Sequence, residues 1–68
     1  MRFDGRQLAA TRTTQALTQK MLAERAGVSI ATIRKLETGG GGASGRVLLA
    51  VCRALDVNPE DLYAEEAP

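Results

Sequence analysis

"QKMLAERAGVSIATIRKLET", residues 19–38, decides how this chain folds. Leu22, Ala23 and Ala26 share one helical stripe, and Ile33 and Leu36 share another. Between the stripes stand Gly27, Val28 and Ser29. Gly27 accepts the positive φ that ends a helix, and Ser29 can cap the start of the next. Ala23 is small where two helices must cross closely. Leu22, Val28, Ile33 and Leu36 set the crossing angle by packing inward. Two short helices joined by so tight a turn make a helix-turn-helix, whose second helix can protrude into the major groove of DNA.

The same grammar of helix starts recurs on both sides. Asp4 can cap a first helix, with Gln7 three residues on and Phe3 and Leu8 as a hydrophobic staple. Thr18 can cap the second, stapled by Leu17 and Leu22, and Ser29 the third, stapled by Val28 and Ile33. Ser44 can cap the fourth, with Ala43 and Leu48. Asn58 can cap the fifth, with Pro59 in the first helical position and Val57 against Leu62. Gly39 is placed, like Gly27, to end a helix. Leu48, Val51, Cys52 and Leu55 form a further apolar stripe. No run alternates β-branched with polar residues, and Phe3 and Tyr63 are the only aromatics, so strands are not expected. The expected fold is all-α: a compact five-helix bundle forming a single domain over 1–68, with helices near 5–14, 19–26, 30–38, 45–55 and 59–64. None is long enough to persist alone in water, so they must pack together.

Sixty-eight residues bound one domain. At that size only about 60% of the unfolded surface can be buried, so the core is small. Charge is unevenly spread. Residues 1–55 carry all nine basic side chains against three acids, a balance of +6; residues 56–68 carry five acids and no base, a balance of −5. That polarity suggests a basic working face and an acidic end. With no histidine and one cysteine, Cys52, neither a metal site nor an internal disulfide is expected, and a reducing, cytoplasmic setting fits. No stretch approaches the ~20 apolar residues of a membrane span. Cys52 reads as a small core residue, having no histidine to activate it. Without a metal cluster, paired carboxylates at a pocket or a nucleophile with its base, no enzyme and no cofactor are expected.

The glycine run "GGGGASGR" (39–46) needs its own reading. Gly40, Gly42 and Gly45 spell the spacing of a dinucleotide-binding loop, and Gly40 to Arg46 approximates a phosphate-binding loop. Both motifs require a preceding strand, and here a helix precedes. Arg46 and Val47 also occupy the places of the essential lysine and hydroxyl. The run reads as a helix–helix connector, with the alternative that its backbone N–H groups meet a phosphate.

"LTQKMLAERAGVSIATIRKLETG" (17–39) resembles the lambda-repressor-like, Cro-type helix-turn-helix domains, the xenobiotic response element family. "LLAVCRALDVNPEDLY" (48–63) resembles that family's closing helices, so the resemblance spans about residues 5–63. It implies five helices, the third reading DNA. Position by position, it implies a phosphate contact from Gln19 and another from Ser29. It turns Ile30, Ala31, Thr32 and Lys35 to the groove and sets Thr38 near the backbone. It pairs Arg12 with Glu37, tying helix one to the end of helix three. The family's loop after helix three usually carries basic residues and a proline; Gly40-Gly41-Gly42-Ala43 offers no such side chains.

Plain structural roles stand beside these. Ser29 can be a cap, a phosphate ligand or both, because free N–H groups remain after capping. Lys35 points away from Ile33 and Leu36 and can donate to guanine; Arg34 lies to its side, with its role open. An exposed Ile30 and Ala31 suit thymine methyls, and Thr32 can reach a base edge or phosphate. Met21 and Tyr63 are either ordinary surface or part of a dimer contact. The expected function is sequence-specific binding of double-stranded DNA by a small transcriptional regulator, with a homodimer seated through the apolar side of helices four and five. A protein-interaction module, such as an antitoxin that binds a toxin, is the alternative, favoured by the weakened DNA face from the glycine loop to Ile30 and Ala31.

Overall fold

Four α-helices follow one another as β1 (Arg2–Phe3), α1 (Gly5–Thr14), α2 (Gln19–Ala26), α3 (Ile30–Glu37), α4 (Gly45–Leu55), a 3-10 turn (Pro59–Leu62) and β2 (Tyr63–Ala64), in a computed structural model that describes residues 2–39 and 44–64. Local chemistry sets each start. The side chains of Thr18, Ser29 and Ser44 accept the N–H groups of Met21, Thr32 and Val47 at 3.0, 3.1 and 3.2 Å. Asp4 accepts from the Arg6 N–H at 2.9 Å. Its own N–H goes to the Leu62 carbonyl at 2.8 Å, so Gln7 is not needed to satisfy it.

Three helix ends share one pattern. Gly27, Ala16 and Asp56 sit in the left-handed region with φ of 71°, 59° and 57°. Each N–H donates three residues back, and the next N–H donates five residues back, as from Val28 to Ala23, Leu17 to Arg12 and Val57 to Cys52. Glycine takes this conformation freely; alanine does so with strain. Gly39, with φ 116°, follows α3.

One buried cluster joins all the helices: Leu8 of α1, Leu17, Leu22 and Ala23 of α2's flank and body, Ile33 and Leu36 of α3, Val51, Cys52 and Leu55 of α4, and Leu62 of the turn. α2 packs on α3 and α4, and α1 packs on α3. Burying one such leucine stabilises by about 1.5–3 kcal/mol. Gly5 is required where α1 meets α3: a Cβ there would overlap the Leu36 carbonyl oxygen and stand 2.8 Å from that of Glu37.

The class is the expected all-α, with two corrections. The fifth helix expected over 59–64 is a 3-10 turn ending at Leu62. Asp61 caps it backward, its Oδ2 accepting the Asn58 N–H at 3.1 Å. It stops because Tyr63 turns extended (φ −109°, ψ 139°) to pair with Phe3. The second correction is that antiparallel ladder itself, Arg2 with Ala64 and Phe3 with Tyr63. Two residues per strand are too few to show a period of two. The molecule's two aromatic rings meet edge to face across it, with centroids 5.9 Å apart.

Candidate nucleic-acid interface

α3 divides its side chains cleanly. Ile33 and Leu36 are buried, while Ala31, Arg34 and Lys35 are exposed on the opposite side. Thr32 is half-buried. Ile30 differs from the exposed residue expected: it is half-buried and packs against the core, which leaves only part of its surface for a ligand.

The hydroxyls at the start of α3 form a unit. Ser29 Oγ accepts the Thr32 N–H, and the Ser29 and Thr32 hydroxyl oxygens lie 2.9 Å apart. One proton bridges them, so the other remains for an outside acceptor whichever residue supplies it. The N–H groups of Ile30 and Ala31 have no intrahelical acceptor. Ser29 is thus a cap, and the cluster around it keeps donors that its own helix does not use. At the far end, Thr38 Oγ1 donates to the carbonyls of Arg34 and Lys35 at 2.9 and 3.3 Å. Its single proton is spent on its own helix, and a phosphate, which only accepts, gains nothing from it in this rotamer.

Arg12 and Glu37 meet across α1 and α3. Arg12 Nε donates to Glu37 Oε2 at 2.6 Å and Nη2 to Oε1 at 3.1 Å, a two-pronged pair. The Glu37 side chain is 7% exposed and that of Arg12 17%. Arg12 Nη1 also donates to the Leu17 carbonyl at 2.7 Å, fixing the turn before α2. A third partner has no local signal in the sequence: Gln19 Nε2 donates to Glu37 Oε1 at 3.0 Å. Gln19 is therefore bound to the end of α3, not freely hanging at the start of α2. Two further links were equally hidden, the Gly5 approach and a bond from Gln15 Nε2 to the Leu55 carbonyl at 2.7 Å.

Positive charge lies at both ends of the helices, with Arg25, Arg34, Lys35 and Arg53 in last turns. Among the described residues the ion pairs are Arg12–Glu37 and a long Arg6–Asp4 contact of 3.9 Å. Lys20, Arg25, Arg34, Lys35, Arg46 and Arg53 are exposed and make none. None of the four α-helices has an acid in its first turn. Lys20 and Arg46 instead occupy the first turns of α2 and α4, where the helix dipole favours negative charge. A bound anion relieves that opposition. The loop glycines Gly40, Gly41 and Gly42 lie outside the described residues; Gly45 is the first residue of α4, and α3, not a strand, precedes the loop. Cys52 is buried, and burial first, then the charge of Asp61, pushes its thiol above the ordinary range. It is a packed neutral thiol.

The model of the helix-turn-helix family matches residues 8–62. Among solved structures, the restriction-modification controller protein C.AhdI from Aeromonas hydrophila aligns with a TM-score of 0.82 and 30% identity, over 87% of this chain and 89% of that one. The P22 c2 repressor, solved with a synthetic operator, aligns with a TM-score of 0.81 and 29% identity, over 91% of this chain and 94% of that one. The clp gene regulator ClgR from Corynebacterium glutamicum aligns with a TM-score of 0.78 and 33% identity, over 85% of this chain and 62% of that regulator's length. Comparison with curated protein sequences finds no match.

Proposed function

We propose, because the chain belongs to the helix-turn-helix family, that this DNA-binding transcription regulator reads duplex sequence by placing α3 in the major groove. The observation that carries the reading is the divided face of α3: Ile33 and Leu36 are sealed in the core while Ala31, Arg34 and Lys35 stand free. Lys35 donates to a guanine edge, Ala31 and the open part of Ile30 touch thymine methyls, and Thr32 shares its hydroxyl pair with Ser29. Phosphates flanking the groove sit at the helix starts. Gln19, the two free N–H groups of α2 and Lys20 take one; Ser29 takes another. Thr38 lies at the edge and contributes position, its hydroxyl being engaged with its own helix. The whole chain acts as a single DNA-binding domain without a cofactor.

Two copies bind half-sites about 34 Å apart. The exposed Leu49 on α4, 43% accessible, supports a contact between copies on that side. Binding falls steeply with salt, since Lys20, Arg25, Arg34, Lys35, Arg46 and Arg53 are exposed and make no ion pair among the described residues. Fluorescence anisotropy with random duplex DNA at two salt concentrations tests the first step, and selection from a random DNA pool tests the second. A palindromic consensus is the expected result. Absence of duplex binding even at low salt overturns the reading and favours a protein-interaction module.

A further inference from the structure

Gln19 and Glu37 are the first residue of α2 and the last of α3. Their bond constrains chemistry as well as position. A carboxylate clamped by Arg12 is an acceptor only, so Gln19 must face it with the amide nitrogen, as the 3.0 Å contact shows. The amide cannot flip without setting its carbonyl oxygen against Glu37. A phosphate oxygen is also an acceptor only. The Gln19 side chain can therefore serve a phosphate solely through the second proton of the same nitrogen.

One planar amide then holds both acceptors, which lie about 5 Å apart given ordinary hydrogen-bond lengths. Two negative groups so close repel, unless one is neutralised. Arg12 neutralises Glu37 with two charge-assisted bonds of 2.6 and 3.1 Å. The same triad links the reading helix to the phosphate contact. Glu37 sits in the final turn of α3, so Gln19 is aimed in fixed register with Arg34 and Lys35.

We propose that Glu37, held by Arg12, is a positioning residue for phosphate binding: it orients the Gln19 amide so that one N–H remains for the DNA backbone. The inference rests on the DNA-binding reading above. It differs from a purely structural role for the ion pair, in which Glu37 holds α1 to α3 and Gln19 is incidental.

A double-variant cycle separates the two. Glu37→Asp keeps a carboxylate on the side of Arg12 but draws back by one methylene the oxygen that Arg12 Nη2 and Gln19 Nε2 share. Duplex affinity is measured by anisotropy for wild type, Glu37→Asp, Gln19→Ala and the double variant, at a temperature where circular dichroism shows each folded. A hydrogen bond to a charged group is worth about tenfold or more in affinity, so Gln19→Ala binds about tenfold more weakly. Glu37→Asp alone weakens binding several-fold, and in the Gln19→Ala background it adds nothing. Equal weakening in both backgrounds overturns the proposal while leaving DNA binding intact. Failure of wild type to bind any duplex overturns the DNA-binding reading and this inference with it. A measurement on the unaltered protein covers the case in which Glu37→Asp does not fold. In nitrogen–proton NMR spectra, one side-chain proton of Gln19 resonates downfield of those of the exposed Gln7 and exchanges more slowly, and its geminal partner shifts when duplex DNA is added. A Gln19 amide indistinguishable from that of Gln7 overturns the proposal.

Discussion

The helix-turn-helix leans on two walls that work by different physics. Toward α4, Leu22 and Ala23 of α2 share a buried cluster with Val51, Cys52 and Leu55, all apolar apart from one weakly polar thiol. Toward α1, the end of α3 meets the bare backbone of Gly5, the Arg12 guanidinium and, through Glu37, the Gln19 amide. Apolar packing is strong but non-directional. Charge-assisted bonds in a fixed fork add less net energy but specify angle and register. The α4 wall rests on apolar burial, and the α1 wall adds to its buried Leu8 the directional bonds that fix the end of α3.

Leu22→Ala breaks the apolar wall and carries the largest expected effect. Leu22 is fully buried, and such truncations cost about 3–4 kcal/mol through lost transfer energy and the cavity left behind. In a domain of this size the melting temperature falls by well over 10 °C. Duplex affinity of the molecules that remain folded is unchanged. A thermal melt within a few degrees of wild type contradicts the division between the walls.

Glu37→Ala breaks the polar wall. It strands Arg12, whose side chain is 17% exposed and so retains some hydration; the loss is about 2–3 kcal/mol, below that of a fully buried pair. The sharper experiment removes both charges together. Arg12→Met with Glu37→Leu recovers most of the stability by denaturant titration, because no charge is left unpaired. It does not recover duplex affinity, because Gln19 has lost its acceptor. Recovery of both quantities assigns the polar wall to stability alone.

Lys35 and Lys20 sharpen the contrast between reading and holding. Lys35→Ala costs about 1–3 kcal/mol at one base position and relaxes preference there. Lys20→Ala weakens all sequences alike and reduces the slope of log affinity against log salt by about one. Binding-site selection and a salt titration distinguish them. A change of preference with Lys20→Ala, and none with Lys35→Ala, reverses the assignment of the two faces.

The apolar wall was largely legible in the sequence, because helical periodicity is local: Leu22, Ile33, Leu36, Val51 and Leu55 stand at the spacing their burial requires. So were the caps Thr18, Ser29 and Ser44 and the Gly27 turn, each a matter of three or four residues. The pairing of Arg12 with Glu37 rested on resemblance, not on spacing. What stayed hidden is tertiary. Gln19 reaches Glu37 across 18 positions, and Gln15 reaches the Leu55 carbonyl across 40. Gly5 looks like an ordinary first-turn glycine until α3 is laid against it. The Phe3–Tyr63 ladder joins the two ends of the described chain, and no window of sequence contains both strands.

The smallest effect expected is at Ala16, on the α1 side. Its φ of 59° costs an alanine about 1–2 kcal/mol, and glycine removes that strain. Glycine also widens the unfolded ensemble, which returns about 0.4–1 kcal/mol. Ala16→Gly therefore gains about 0.5 kcal/mol, a rise of about 2–4 °C in melting temperature. Asp56, at φ 57°, is a residue type that visits this region more readily, so Asp56→Gly gains less. The strained turn is held from the polar wall, since Arg12 Nη1 donates to the carbonyl of Leu17, the residue after Ala16. Ala16→Gly should thus raise the melting temperature more than Asp56→Gly does; the opposite order means that the Arg12 fork bends the turn to a geometry alanine already accepts.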